Sequence, residues 1–481
     1  MAINLNLKST LSAIEDVLAK LSQDIQEVFY RSGQDGIGLE GFERELRGVF
    51  AEAERGVVAE KLAQYDVDVP KLVIEGKSYR RVLRATSTYT CAAGEVPVLR
   101  SLYRHEAEPA IVPLELNAGM VEGHWTPWAA RQMVVMTSLL PPQTGAMVFA
   151  ELGLMCPSKS SLDRLPKAMN EVWEADRENF ERPLREAETI PEGTVTVAVS
   201  LDGVMTPMKD GKRQAKREQA QAKGKRPQGP AGHQEVGCGT VSLYNAQGER
   251  LQTRKLARMP ESKKKILKHQ LQAEMAHILQ QNPDLQVVTI ADGAKDNWTF
   301  LDSACPNATA VVDFFHAVDH LKKALDNAYG ENTPPAKAQF AKLRRRLRDE
   351  PNGVEVVIRS LRHLHKKHPR RKVLARELAY FRNNRHRMNY AAVKAQHLPI
   401  GSGVVEAACK TLVTQRLKLS GMRWRHRGGQ AILTFRALLQ SNRFDRAWPN
   451  LAATYLKPLR PPAQIISFPK RQRTKTLEEA I

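Results

Sequence analysis

No apolar run in the chain approaches the about 18 residues that a membrane-spanning helix requires, so no span is expected. The first residues, Met1 to Lys8, lack a basic segment followed by an apolar core, which argues against a secretory signal. Cysteine is scarce. The five present (Cys91, Cys156, Cys238, Cys305, Cys409) include no C-x-x-C pair, which excludes a zinc ribbon or a disulfide framework and fits a reduced, cytoplasmic setting. Acidic residues are in deficit: 52 Asp and Glu face 73 Lys and Arg, a net charge of +21. The excess is clustered rather than spread, so a polyanion, nucleic acid first, is the expected partner.

The 481 residues allow two to four domains at about 150 residues each. Residues 1–65 carry apolar positions at helical spacing (Leu11, Ile14, Val17, Leu18, Leu21) and predict an amphipathic helical region that packs or oligomerises. Residues 66–120 predict a small basic β-module, with strands over 67–74, 79–85, 89–90 and 96–103 and arginines at 80, 81, 84, 100 and 104. Residues 121–190 return to helix. Within them, Gly153 as a turn and Ser158 as an N-cap give a helix–turn–helix cadence, with Lys159, Ser160 and Arg164 facing outward; a DNA-reading module and an ordinary pair of packed helices fit equally.

An α/β pattern follows. Thr194–Leu201, Val236–Tyr244 and Arg250–Ala257 read as strands, Glu261–Gln281 as a helix, Leu285–Ala291 as a strand, Asn297–Ser303 as a helix and Ala308–Asp313 as a strand. A doubly wound fold would alternate strand and helix throughout; three strands before the first helix is instead the order of a ribonuclease-H-like core. The expected core occupies 191–316 and 399–445, interrupted by an all-helical insertion over 317–398 and followed by a basic tail over 446–481, whose segment 458–475 reads as disordered.

Two of the β-branched runs close with Asp-Gly, at Asp202 and Asp292, and each predicts a carboxylate at a strand tip. Taken singly, such an Asp-Gly is ordinary turn chemistry. Together, in this strand order and in a basic chain, the two suit two-metal phosphodiester chemistry, in which cations about 3.5–4 Å apart clamp the attacking and leaving oxygens. Glu406 follows about 114 residues after Asp292, in a helix for which Ser402 is the expected N-cap. Its neighbours Val404, Val405, Ala407, Ala408 and Cys409 predict a buried segment, where a carboxylate needs a partner such as metal. Mg²⁺ or Mn²⁺, as two ions, is the expected cofactor. Asp313 and His316, with Asp319 and His320 close by, form a second constellation, read as positioning the scissile strand or as polar caps at a helix start. Candidate phosphate contacts are Lys212 and Arg213 in the basic stretch 209–226, Arg345 and Arg348 in the helical insertion, and Lys410. In the loop 422–427, Arg423 and Arg425 flank Trp424, which either stacks on an unpaired base or belongs to the core.

These segments, Ser200-Leu-Asp202-Gly-Val, Ala291-Asp292-Gly-Ala, Asp313-Phe-Phe-His316 and Gly401-Ser-Gly-Val-Val-Glu406, resemble the DDE transposases of bacterial insertion sequences, the ISKra type above all, and also mutator-like and hAT transposases. The resemblance covers about residues 190–445. It implies a ribonuclease-H-like core with Asp202, Asp292 and Glu406 as the metal-binding triad, Asp313 and His316 as an accessory motif, binding to terminal inverted repeats and target DNA, and a homo-oligomeric complex. Two departures stand out. The basic residue that relatives place seven positions after the Glu is Val413 here, and only Cys91 remains of a cysteine-rich knuckle, so no zinc is expected. A resolvase or exonuclease of the same fold, and a non-catalytic DNA-binding protein derived from a transposase, are the alternatives.

Overall fold

The computed structural model describes residues 7–34, 38–153, 155–209, 211–226 and 232–459. The expected tail therefore lies outside the described residues from 460 onward, as do the side chains of Lys212 and Arg213. The architecture is mixed α/β with two open sheets, and no described helix is long and apolar enough to cross a membrane. The described chain divides into two compact units, one built from residues up to 130 with 152–156 and 452–459, the other from 131–151 and 157–451.

In the first unit, helices α1 (Leu7–Gln34) and α2 (Leu39–Ala63) pack as a pair, tied by Lys20–Glu52 and Arg31–Glu45 ion pairs. They precede a four-stranded antiparallel meander: β1 (Lys71–Ile74), β2 (Lys77–Cys91), β3 (Gly94–His105) and β4 (Glu108–Ile111). The sequence predicts a break between 85 and 89, but β2 runs straight through. Thr86 and Thr88 alternate outward with the pleat and Tyr89 inward, so the polar residues there mark a solvated face rather than a turn. The arginine cluster is partly neutralised, since Arg81 and Arg84 both pair with Asp68. Helix α3 (Pro113–Ala118) closes the meander.

In the second unit, α4 (Pro127–Leu139, from Arg131), α5 (Pro142–Leu152) and α6 (Lys159–Ala175) lead to α7 (Arg177–Glu186). Ser158 caps α6 by accepting the Ser161 N–H at 3.1 Å; Gly153, which belongs to the first unit, has the left-handed φ of +71° that glycine adopts without strain. The buried face of α6 carries Leu162, Leu165, Met169 and Trp173, and the helix packs against α18 (His426–Gln440); Lys159, Ser160 and Arg164 remain exposed.

The five-stranded sheet has the order β7-β6-β5-β8-β9, with β5 (Thr194–Pro207), β6 (His233–Asn245) and β7 (Arg250–Arg258) antiparallel and β5, β8 (Gln286–Ala291) and β9 (Thr309–Val312) parallel. Residues Thr196–Leu201 are buried without alternation, as expected of a strand covered on both faces. Helix α8 (Gly211–Ala222) lies between β5 and β6, where the sequence indicated only a basic insertion. Helix α9 (Lys265–Gln281) starts later than expected because Lys263 and Lys264 have positive φ, and α10 (Lys295–Ala304) links β8 to β9.

Beyond β9 come α11 (Phe314–Tyr329), α12 (Pro334–Asp349), α13 (Gly353–Lys367), α14 (Lys372–Asn384) and α15 (Tyr390–Ala395). They are not a separate body. Leu321, Leu343, Leu361, Phe381 and Tyr390 share one hydrophobic core with Val197, Val199, Val288 and Val311 of the sheet. A second core joins Val236, Cys238 and Ala257 to Val405, Ala408, Leu412 and Leu433 of α16 (Gly403–Ala408), the π-helical turn Cys409–Thr414, α17 (Gln415–Leu417) and α18. Helix α19 (Phe444–Ala453) ends the unit.

Candidate active site

Parallel strands β5, β8 and β9 point their C-terminal ends to one edge of the sheet, and a carboxylate leaves each. Asp202 is not at a strand tip as the sequence predicts. β5 continues to Pro207 because β6 pairs with it all the way (Asp202 opposite Cys238), whereas parallel pairing to β8 ends at Ser200. Asp202 sits just where β5 outruns its parallel neighbour. Its Oδ1 accepts the Gly203 N–H at 2.7 Å, and the Cys409 thiol lies 3.6 Å from Oδ2. Burial raises its pKa, and the nearby Asp292 charge pushes the same way.

Asp292 follows β8 directly. Its Oδ1 accepts from the Ala294 N–H and from Asn297 Nδ2, both at 3.1 Å, and its carbonyl accepts from Trp298 Nε1 at 2.6 Å. Asn297, buried five residues downstream, carries no signal in the sequence. Gly293 is tightly constrained. A Cβ built there would lie 2.4 Å from Tyr380 Cε2 of α14. We expect Gly293→Ala to cost about 1–3 kcal/mol through overpacking, and to cost little in a Tyr380→Ala background. Urea unfolding of the four proteins measures that coupling; equal costs in both backgrounds would remove Tyr380 as the cause.

Asp313 ends β9 and fastens the edge together. Its N–H donates to Ala291 O at 2.9 Å, its Oδ1 caps α11 by accepting the His316 N–H at 2.8 Å, and its Oδ2 accepts the Ser402 N–H. The Phe314 N–H donates to Ile400 O at 3.0 Å. The helix of Glu406 is thereby bound to the start of α11 despite the intervening insertion. Burial of Asp313 is complete and opposes its charge, but the hydrogen bonds from His316 and Ser402 outweigh this and hold its pKa below the ordinary value. His316 is pushed up to about 9, first by Asp313, whose Oδ1 is 3.8 Å from Nδ1, and further by the charges of Asp292 and Asp202. His320, one turn on, turns away. It meets Glu377 at 2.5 Å and stacks on Tyr380 at 3.7 Å between ring centroids.

Glu406 lies in the first turn of α16, and its N–H donates to Ser402 O at 3.0 Å. Two expectations are corrected here. Ser402 makes no side-chain cap; its hydroxyl is 3.4 Å from Glu406 Oε1. Glu406 is exposed, because the small and apolar neighbours Val405, Ala408 and Cys409 are the face that packs on the sheet. Asp313, His316 and Glu406 each offer a ligand atom, all within 4.8 Å of one another.

The outlying candidates divide. Lys410, Arg423, Arg425 and Arg345 are exposed. Arg348 is engaged by Asp349 through Nε and Nη2 at 2.8–3.0 Å. Trp424 does not present a free ring. Its Nε1 donates to Leu417 O at 2.8 Å, its backbone pairs with Pro207 and Lys209, and its ring packs against the second core and under Arg416. The π-helical turn inserts a residue after Glu406. Val413 and Arg416 are both buried, and Arg416 donates twice to Thr137 O, so neither can meet a phosphate. No protein-family model matches the sequence, and no curated protein matches it either.

Proposed function

We propose that the chain is a DNA transposase with a ribonuclease-H-like core, cutting phosphodiester bonds at the ends of a mobile element and joining them to target DNA. The observation that carries this reading is the sheet order β7-β6-β5-β8-β9, antiparallel then parallel, with carboxylates leaving β5, β8 and β9 at one edge and a fourth supplied by α16. The residues fit a cation. Asp202 is desolvated beside a second carboxylate and, among the described residues, receives one backbone N–H and a thiol, and His316 is the basic side chain that faces it, so the carboxylates outnumber the positive charge at that edge. Two divalent cations, Mg²⁺ or Mn²⁺, supply the charge that attacking and leaving oxygens require. Asp202, Asp292 and Glu406 would hold them. Asn297 and the Ala294 N–H fix Asp292 through one oxygen, and Asp313 fixes α16 against α11. Lys410, Arg423 and Arg425, exposed on the segments that follow Glu406, take backbone phosphates. A homo-oligomer would hold two element ends at once, and the exposed Leu18, Phe29, Leu39 and Phe50 of the α1–α2 pair offer apolar area for it.

The test uses DNA from both flanks of the coding region. If these flanks carry short inverted repeats, the chain should cut at their ends with Mg²⁺ and spare unrelated duplex. Binding without cutting, in Mg²⁺ and in Mn²⁺, would favour a non-catalytic DNA-binding protein instead. Affinity for duplex should also fall by about 10³–10⁵ between about 50 and about 200 mM salt if six to ten phosphates are neutralised. A flat salt response by fluorescence anisotropy would argue against a phosphate-tracking surface.

A further inference from the structure

We infer that Asp313, His316 and Glu406 form a metal site of mixed nitrogen and oxygen character, which takes a first-row transition ion such as Mn²⁺ in preference to Mg²⁺. The inference deepens the proposed function, on which it rests for the use made of the ion. The three ligand atoms lie within 4.8 Å of one another. A cation bound at about 2.0–2.2 Å to each sets neighbouring ligand atoms about 3.0–3.4 Å apart, a closure of up to about 1.8 Å that rotation of the His316 and Glu406 side chains supplies. Two of the three are already held. Asp313 is anchored by the N–H groups of His316 and Ser402, each occupying one side of one oxygen and leaving a lone pair on both. Glu406 is restrained by the Ser402 hydroxyl at 3.4 Å and by its own N–H on Ser402 O. The third, the imidazole of His316, is 40% exposed, and among the described residues its one charged neighbour within ion-pair distance is Asp313, 3.8 Å away.

The donor chemistry separates this group from Asp202 and Asp292, which offer oxygen alone. Mg²⁺ favours all-oxygen octahedra with retained water, whereas an imidazole favours transition ions. Three protein ligands leave positions open for water or a phosphate oxygen. The sequence places Asp313 and His316 together as a pair, but that Glu406 joins them depends on the hydrogen bonds of Asp313 and Phe314 to Ser402 and Ile400.

The test needs no DNA. Full-length protein is titrated with Mn²⁺ and with Mg²⁺ by calorimetry, alongside His316→Ala and His316→Gln. The ring, not the backbone N–H that completes the α11 cap, is what these variants change. Mn²⁺ should bind more tightly than Mg²⁺ to the wild type, and both variants should lose at least about tenfold in Mn²⁺ affinity while Mg²⁺ affinity stays within about twofold. Electron spin echo spectra of the Mn²⁺-loaded wild type should show imidazole nitrogen coupling that is absent from the variants. Unchanged Mn²⁺ affinity in both variants, or no nitrogen coupling in the wild type, overturns the site. Such a result would leave a cleavage activity that depends on Asp202 and Asp292 untouched. Conversely, nitrogen-coupled Mn²⁺ in a protein that cuts no DNA would uphold the site and reject the nuclease reading.

Discussion

Asp292→Asn should lower divalent-cation-dependent DNA cleavage by roughly 10³-fold or more, the equivalent of about 4 kcal/mol of transition-state stabilisation, while leaving duplex affinity within about twofold. The substitution is close to isosteric. An asparagine oxygen can still accept from the Ala294 N–H and from Asn297 Nδ2, so the turn after β8 survives and only the charge is lost. Asp202→Asn should have the same effect on cleavage and a second, diagnostic effect on the metal-free protein. Burial and the Asp292 charge raise the Asp202 pKa. A carboxyl whose pKa is higher folded than unfolded contributes its stability below the unfolded value and loses it as pH rises through the folded one. Where the carboxyl is ionised the wild type has lost that contribution, and Asn removes the repulsion. The metal-free Asp202→Asn protein should therefore melt no lower than wild type at pH 7, with its advantage shrinking as the pH falls toward the ordinary carboxylate range. Glu406→Gln is exposed and should change melting little. Cleavage of end-bearing duplex, duplex binding and metal-free melting, measured on the same three variants, separate lost chemistry from lost folding. Mg²⁺-dependent cleavage retained by any variant withdraws that residue from the site.

The elements that sequence periodicity located best are those whose burial is uniform. The run up to Ala291 is apolar because β8 is covered on both faces, and the helical period after Asp313 corresponds to α11 through α15. Periodicity failed where hydrogen-bond partners, not burial, set the boundary. Asp202-Gly203 reads as a strand end, yet β6 carries β5 seven residues past Ser200, where its parallel pairing ends, to Pro207, and nothing in β5 itself announces that. Glu406 falls in the turn that the sequence indicates but is exposed, since Val405, Ala408 and Cys409 are apolar because they share a core with Cys238 and Ala257. Trp424 illustrates the same limit. A basic loop around an aromatic looks like a base-stacking site until the indole N–H is found on Leu417 O. Asn297 and Tyr380 matter through contacts made by the fold, and a single polar residue in a helix carries no mark of that; Ser402 reads as a side-chain cap, yet it acts through its backbone N–H on Asp313.

A larger stability effect should come from a site that no motif marks. Arg443→Met is expected to destabilise the second unit by about 3–5 kcal/mol, as when one partner of a buried ion cluster is removed. Arg443 precedes α19 and is buried. It donates to Glu188 through Nε and Nη2 at 2.9 and 2.7 Å, and to Glu274 of α9 through Nη1 and Nη2 at 2.6 and 2.8 Å. Arg254 of β7 joins the same two acids, through Nη1 to Glu274 at 3.0 Å and with Nε 2.9 Å from Glu188. Two buried carboxylates are thus matched by two buried guanidiniums, and four separate stretches of chain meet there: the segment before β5, the edge strand β7, α9 and α19. With methionine at 443, two acids share one buried cation, and the packing of α19 loses its polar anchor. Arg446, 41% exposed, touches only the rim of the cluster at Glu188; Arg446→Met should cost under about 1 kcal/mol. The pH dependence has a definite sign. Burial opposes ionisation of Glu274, but Arg443 outweighs it and lowers the pKa, so the cluster's contribution is complete above the unfolded Glu value and is lost as pH falls through the folded one. The deficit of Arg443→Met should accordingly be largest at neutral pH and narrow in acid, where protonated carboxyls no longer need the cation. Urea unfolding of wild type, Arg443→Met and Arg446→Met at neutral and acid pH checks both the size and the trend. Equal stabilities for the two variants at pH 7 would mean that Arg443 is not the residue that balances this cluster.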